Sequence, residues 1–233
     1  MGRARQHPGA AVGGVNEETS ETITASGLKA WIGRYADVIA ENRAELSKLD
    51  TAIGDGDHGT NMDRGMRKAV EKLDALDEAD VGVVFKTVGM ALVSSVGGAA
   101  GPLYGTLFLQ MASASGDKAE LDLAGWKEAL QSGVKGLQAR GKAQANDKTM
   151  VDALLPALEA LEAAASEGAG LGDALERSAD AAEQGMKATI DLEARRGRAS
   201  YLGPRSVGHQ DPGATSTHLL LRSAAEALGG GAD

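Results

Sequence analysis

The sequence predicts an all-α protein of about eight helices, and three observations lead there. Hydrophobic residues make up 42% of the 233-residue chain, but aromatic residues only 3%. The core must therefore be built from Ala, Leu, Val, Ile and Met, which suits close helix packing better than a β-sandwich. From Ser26 onward apolar residues recur at helical spacing, and no stretch carries a convincing hairpin signal.

The elements follow in order. Leu28, Trp31, Ile32, Tyr35, Val38 and Ile39 form one apolar face of a first helix ending near Leu49. Met62, Met66, Val70 and Leu73 mark a second. Residues 81–96, VGVVFKTVGMALVSSV, read as a buried third helix, with a strand as the alternative for the β-branched first part. Residues 102–115 give a fourth, with Pro102 suited to a first turn. Leu123, Trp126, Leu130, Val134 and Leu137 space a fifth. Lys148 to Glu167 is a sixth, which Pro156 should bend or mark as an early turn. Leu171 to Arg195 and Gly213 to Leu228 complete the set. Residues 1–17, rich in Gly, Ala and Arg and without periodicity, are expected to be a disordered extension that includes an idle His7. Residues 18–233 are expected to form one domain.

Bulk chemistry narrows the function. A net charge of −9 argues against nucleic-acid binding. The absence of cysteine removes disulfides, thiolate metal sites and cysteine nucleophiles, and makes a reducing cytoplasm the default location. No apolar run approaches the roughly 20 residues needed to span a bilayer, and the N-terminus lacks the apolar stretch of a secretory signal.

Four connections are longer or odder than turn-making requires: 50–61, 94–105, 139–150 and 193–213. They join helices 1–2, 3–4, 5–6 and 7–8. In an up-and-down bundle loops alternate between two ends, so all four would lie at the same end. Acidic, glycine-rich and arginine-rich segments would then meet on one face.

The segment DTAIGDGDHGTN, residues 50–61, places Asp50, Asp55 and Asp57 close together. Three neighbouring carboxylates repel unless a cation lies between them, and hard oxygen ligands suit Mg2+ or Ca2+. The alternative is a set of solvated capping and turn aspartates. An EF-hand calcium loop fits poorly: counted from Asp55, position five is Gly59 and position twelve is Met66. His58 to Asn61 open the second helix, whose free N–H groups could meet an anion. Thr60 and Asn61 could equally be simple caps. His58 could donate to a phosphate or, as the weaker reading, accept a phosphoryl group. GGAAG at 97–101 permits close approach of backbone to phosphate or base, or simply tight packing; no Gly-Lys-Ser/Thr follows, so it is not a P-loop. Arg195, Arg196, Arg198 and Arg205 suggest phosphate neutralisation, and Asp211 before Pro212-Gly213 is a normal helix start. His209 could contact a phosphate or partner, and His218 reads as structural.

Four blocks then carry a family resemblance. IGDGDHGTNMDRG (53–65), GGAAGPLYGT (97–106), GKAQANDKTMVDALLPA (141–157) and GRASYLGPRSVGHQDPGATS (197–216) resemble the signature blocks of the DhaL family. That family is the nucleotide-binding L subunit of dihydroxyacetone kinase, found also as the C-terminal domain of single-chain kinases. The resemblance spans roughly residues 20–230 and implies an eight-helix antiparallel up-and-down barrel with the nucleotide at one end. It implies that Asp50, Asp55 and Asp57 hold a Mg2+ pair bridging the phosphates of ADP or ATP. His58, Gly59, Thr60, Asn61, Ala99 and Ala100 would contact those phosphates. Gly141 and Met150 would lie near the adenine under a loop lid. Arg198, with Asp211, Pro212 and Gly213, would complete the site, Arg198 and His58 being the catalytic candidates. Two positions depart from the family pattern: Ala100 where a serine is common, and Asn146 where a glycine is common.

The resemblance is to a stand-alone subunit with phosphotransferase activity. It implies a separate K subunit that holds dihydroxyacetone, and a histidine phosphoprotein, the M subunit, that rephosphorylates resident ADP. This phosphotransferase-linked form is the favoured reading. The alternatives are an ATP-dependent kinase subunit for dihydroxyacetone or a tetrulose, and a nucleotide-state-dependent regulator of a transcription factor. Pairing as a homodimer stays open.

Overall fold

The computed structural model describes residues 22–77 and 79–230. The expected N-terminal extension, 1–17 with His7, lies outside them. Eight α-helices follow in order: α1 Ala25–Ile53, α2 His58–Asp74, α3 Val81–Ser95, α4 Ala100–Ser115, α5 Leu123–Gly141, α6 Val151–Ser166, α7 Leu171–Ala188 and α8 Pro212–Leu228. Each packs on its sequence neighbours, and α8 packs on α1, so the ring closes into the expected antiparallel barrel.

Local chemistry sets the helix starts at one end. Thr24 accepts the Gly27 N–H at 3.1 Å, Asp80 that of Val83 at 2.7 Å, and Asp122 that of Gly125 at 2.7 Å. These are side-chain caps on α1, α3 and α5. The same end carries one feature the sequence did not announce. Ile23–Thr24 (β1) and Glu120–Leu121 (β2) pair antiparallel, Ile23 opposite Leu121. Two-residue strands have no periodicity to read.

The centre is filled by the few large side chains the chain owns. Trp31, Tyr35, Phe85, Tyr104, Phe108 and Trp126 are all buried. Trp31 meets Trp126 edge-on at 5.3 Å between ring centroids, and its Nε1–H donates to the Leu220 carbonyl and Ser223 Oγ of α8. The expected apolar face of α1, from Leu28 to Ile39, is buried throughout.

Three boundaries differ from the periodicity reading. Helix α1 runs four residues past Leu49, so Asp50 sits on its last turn rather than in a loop. Helix α6 starts at Val151, not Lys148, because the Asp152 carboxylate takes the N–H groups of Asn146 and Thr149 and holds 146–149 as a coil. Lys148 there has φ +62°, outside any right-handed helix. Helix α7 stops at Ala188 instead of Arg195. Thr189 donates to the Met186 carbonyl and accepts the Asp211 N–H, which turns the chain into a short 3-10 turn at Thr189–Asp191. Pro156 lies inside a continuous α6. It has no N–H for the Asp152 carbonyl, and Gly185 of α7 packs there instead, where a Cβ would sit 2.0 Å from that oxygen.

Candidate functional site

A cavity of about 390 Å³ opens at the end where α2, α4, α6 and α8 begin. All four odd connections contribute to its wall, as loop parity requires: Asp50 to Asn61, Gly97 to Leu103, Arg140 to Val151, and Arg196 to Gly213. Its volume is in the range of small-molecule sites.

The acidic part is built on the α1–α2 turn. One carboxylate oxygen from each of Asp50, Asp55 and Asp57 lies within 4.8 Å of the others. Asp50 is buried, and its Oδ2 accepts the backbone N–H groups of Asp57 at 2.8 Å and His58 at 3.1 Å. This bond pattern folds the turn back so that the two exposed aspartates face Asp50. Gly54 makes the fold possible, since a Cβ there would lie 2.2 Å from Asp50 Oδ1. A donor set of oxygens only, at this spacing, fits a hard divalent cation. Arg198 Nη2 reaches Asp55 Oδ2 at 2.8 Å. With the arginine side chain 66% exposed, that pair contributes little to stability and leaves the guanidinium available at the rim.

The residues that open α2, α4 and α6, Asp57, Ala99 and Met150, make no side-chain cap, although Asp50 takes the first N–H of α2 and Thr149 Oγ1 takes that of α6 at 3.1 Å. The N–H groups of Gly59 and Thr60 at the start of α2, and of Ala100 and Gly101 at the start of α4, have no intrahelical partner and carry the positive end of the helix dipole. Of the residues expected in the site, Asp50, Asp55, Asp57, His58, Asn61, Ala99, Ala100, Gly141, Met150, Arg198, Asp211, Pro212 and Gly213 line this cavity. Gly59 and Thr60 do not. Gly59 is buried against α1, where a Cβ would sit 2.1 Å from the Arg43 carbonyl. Thr60 lies on an outer groove with Arg43 and Arg64. A helix turns about 100° per residue, so neighbours of His58 and Asn61 must point elsewhere.

His58 is buried, and its Nε2 is hydrogen-bonded to Ser216 Oγ at 2.9 Å. Burial pushes its pKa down, opposed by Asp50 and Asp57. Ser216 also meets the Tyr104 hydroxyl at 2.7 Å, and its carbonyl accepts from Tyr35. Burial raises the pKa of both tyrosines, so this floor is neutral. Asp211 is buried, and burial pushes its carboxyl up to about 7 against the Ala214 N–H bond and Lys148, which lower it.

Two wall segments form a latched cover. Asp147 accepts from Gln144 N–H at 2.9 Å and from Arg196 Nε at 3.1 Å, while its carbonyl takes the Arg195 N–H. Lys148 is buried and donates through Nζ to the carbonyls of Thr189 and His209. Burial lowers its pKa, and Asp211, Asp191 and Asp152 oppose that. Asn146 has φ +67°, a left-handed conformation that asparagine tolerates better than most residues. It can therefore stand where the family pattern has glycine without changing the turn. Sequence reading missed Arg140, Lys148 and Ser216, while Arg196, one of the four arginines it singled out, lines the cavity. Lys148 carried one signal, a lysine between Asp147 and Asp152 in a stretch that reads as helix.

The DAK2 domain model matches residues 52–226. The chain is 44% identical over 201 residues to the PEP-dependent dihydroxyacetone kinase ADP-binding subunit DhaL of Escherichia coli, covering 86% of this chain and 96% of that one. It is 41% identical to the PTS-dependent dihydroxyacetone kinase ADP-binding subunit DhaL of Lactococcus lactis, covering 85% and 95%. In fold it is similar to the dihydroxyacetone kinase of C. freundii in complex with AMP-PNP and Mg2+, with a TM-score of 0.66 at 21% identity. The match covers 97% of this chain and 38% of that longer one. No helix among the described residues is long and apolar enough to cross a membrane. With the domain match spanning most of the chain and the two subunits matched nearly end to end, the chain belongs to the DAK2-domain family and, within it, to the DhaL group of dihydroxyacetone kinase subunits.

Proposed function

We propose that the chain is a nucleotide-holding, phosphoryl-transferring L subunit of a dihydroxyacetone kinase working in the cytoplasm. One observation carries this reading: three carboxylates and the open N-termini of α2 and α4 converge on one cavity. Carboxylates alone would repel a polyphosphate, and helix N-termini alone would not select one. Together they suit an anion that arrives with divalent cations.

Asp50, Asp55 and Asp57 would hold the Mg2+ pair, with Asp50 oriented by its two backbone N–H donors. When bound, Mg2+ neutralises phosphate charge and fixes the orientation of the oxygens around the transferred phosphorus. The starts of α2 and α4 would donate the backbone N–H groups of Gly59 and Thr60 and of Ala99–Ala100 to those phosphates, since Asp50 already takes the His58 N–H and the Asp57 carbonyl that of Asn61. Gly59 and Thr60 would act through their backbone only, since their side-chain positions face α1 and the outer groove. Arg198 at the rim would stabilise charge on the group in transfer. His58, neutral and held by Ser216, would orient the α2 start rather than take up the phosphoryl group. Gly141, Met150, Leu103 and Leu137 provide an apolar wall for the adenine, and the turn at Asp211 to Gly213 closes the far side. The cover tied by Asp147 and Lys148 would exclude water from the transfer.

The acceptor would be dihydroxyacetone held on a separate K subunit, with the phosphate supplied by a histidine phosphoprotein M subunit to ADP that stays bound. The E. coli and L. lactis relatives, named ADP-binding and PEP- or PTS-dependent, support this form over free ATP turnover. The test is reconstitution with a K subunit, comparing phosphorylated M subunit with ATP as donor. Retention of ADP through purification and turnover with the M subunit alone are expected. Turnover that needs only added ATP, with ADP released each cycle, would refute the resident-nucleotide form.

A further inference from the structure

Arg64 lies on α2 one helical turn beyond Asn61, with its side chain on the outer surface and not on the cavity wall. Nothing in the phosphate-site reading uses it. Its guanidinium makes two directed bonds with one edge. Nη2–H donates to Asn61 Oδ1 at 2.8 Å, and Nε–H donates to the Ser95 carbonyl at 2.9 Å. Ser95 ends α3 and precedes the glycine loop that lines the cavity.

The chemistry of the two partners determines which way Asn61 faces. A guanidinium is donor-only, so the atom it touches must be the amide oxygen. The Asn61 amide NH2 is then the free end, on a side chain that is buried and lines the cavity. Gly97 lies against the whole amide, since a Cβ there would be 3.2 Å from both Nδ2 and Oδ1. Phosphate oxygens only accept, so an Asn61 turned the other way would present a carbonyl to them. A lysine at 64 could hold one acceptor but not both in the same plane, because it lacks the fork.

We infer that Arg64 is a positioning residue for nucleotide binding: it clamps Asn61 with its amide donor toward the phosphates and ties the α3–α4 glycine loop to α2. The inference rests on the nucleotide reading of the cavity. It separates Arg64 from an ordinary surface arginine, whose loss would not distinguish one ligand from another.

The test is calorimetric binding of ADP with Mg2+, and of adenosine, to wild type, Arg64→Lys, Asn61→Ala and the double variant. Each single substitution should weaken ADP roughly 10-fold, the order expected for one hydrogen bond to a charged group. The double variant should be no weaker than Asn61→Ala, because both act through one amide. Adenosine, which lacks phosphates, should bind all four proteins alike. Additive losses, or equal losses for adenosine, would overturn the inference while leaving the nucleotide reading intact. Wild type that binds no ADP would overturn both. Should Arg64→Lys fail to fold, the Asn61 side-chain amide protons of the wild type can be followed by NMR. A large shift on adding ADP, absent with adenosine, supports the clamp; unchanged signals overturn it.

Discussion

The two ends of the barrel are made of the same helices and solve the same problem in opposite ways. At one end α1, α3 and α5 start, and Thr24, Asp80 and Asp122 each satisfy an N–H of the first turn. At the other end α2, α4 and α6 start with Asp57, Ala99 and Met150, and none of these caps through its side chain. Helix starts that are left open to solvent or ligand sacrifice about 1 kcal/mol each. The cavity end accepts that cost at α2 and α4, where first-turn N–H groups stay open, and places its carboxylates where a cation can hold them together; at α6 Thr149 Oγ1 takes the Val151 N–H instead. The exceptions are instructive. Helix α8 starts at the cavity with Asp211 as a cap, and α7 starts at the far end on Gly170 without one. Asp211 is buried with its pKa raised to about 7, so near neutral pH its cap carries only part of a negative charge at the anion site. What the difference teaches is that a binding end can be recognised by what its helices leave unsatisfied.

The strongest way to break the comparison is at the carboxylates. Asp55→Ala with Asp57→Ala removes two exposed side chains with no structural bond to lose except the Arg198 pair. Affinity for ADP in the presence of Mg2+ should fall by roughly 2–4 kcal/mol, with the melting temperature almost unchanged; calorimetry and thermal unfolding check both. Unchanged affinity would remove the cation site from this end.

The next effect is on pH. The Asp211 pKa is raised in the folded state to about 7 from its ordinary value of 3.8. A raised pKa contributes stability that is complete below the unfolded value and is lost as pH rises through the folded value. Stability from this group should therefore decline between about pH 4 and 7. His58 acts in the opposite sense: its lowered pKa favours the folded state above its unfolded value and costs stability as pH falls below it. Asp211→Asn keeps a good capping residue, so its melting temperature should lose the decline and rise with pH through the acidic range. Parallel pH profiles for the two proteins would contradict the buried, raised carboxyl.

A smaller effect should come from exchanging the character of the ends. Ala99→Asp places a carboxylate at the open start of α4. Nucleotide affinity should drop by about 1 kcal/mol through repulsion of phosphate, while stability changes little. The converse is Asp80→Ala or Asp122→Ala at the capped end. Each should lower stability by about 1 kcal/mol, or roughly 2–4 °C in melting temperature for a chain of this size, with ADP affinity unchanged. A loss of affinity from either cap variant would mean the two ends are coupled.

Much of this is legible in the sequence alone. The apolar face from Leu28 to Ile39 predicted α1, and loop parity predicted that the acidic, glycine-rich and arginine-rich segments share one end. Both hold because helical periodicity and alternation are local or topological rules that one sequence carries completely. Boundaries were less legible. The 146–149 coil depends on Asp152 reaching backward to Asn146 and Thr149, and the end of α7 depends on Thr189 binding an N–H of Asp211, 22 residues later. Periodicity cannot see a hydrogen bond to a distant residue.

The same division applies to the site. The sequence by itself determined the helical class, the gathering of four connections at one end, and the aspartate trio as a candidate cation site, because each depends on residue type and spacing. Only the tertiary structure decided which side chains of the α2 start face the cavity. His58 and Asn61 line it, Gly59 packs on α1 and Thr60 turns outward, since helix rotation has meaning only once a neighbour defines the inside. It also decided that Lys148 is buried as a latch between two wall segments and that Arg64 grips Asn61 from behind. Those roles exist only when segments far apart in sequence are brought within hydrogen-bond distance.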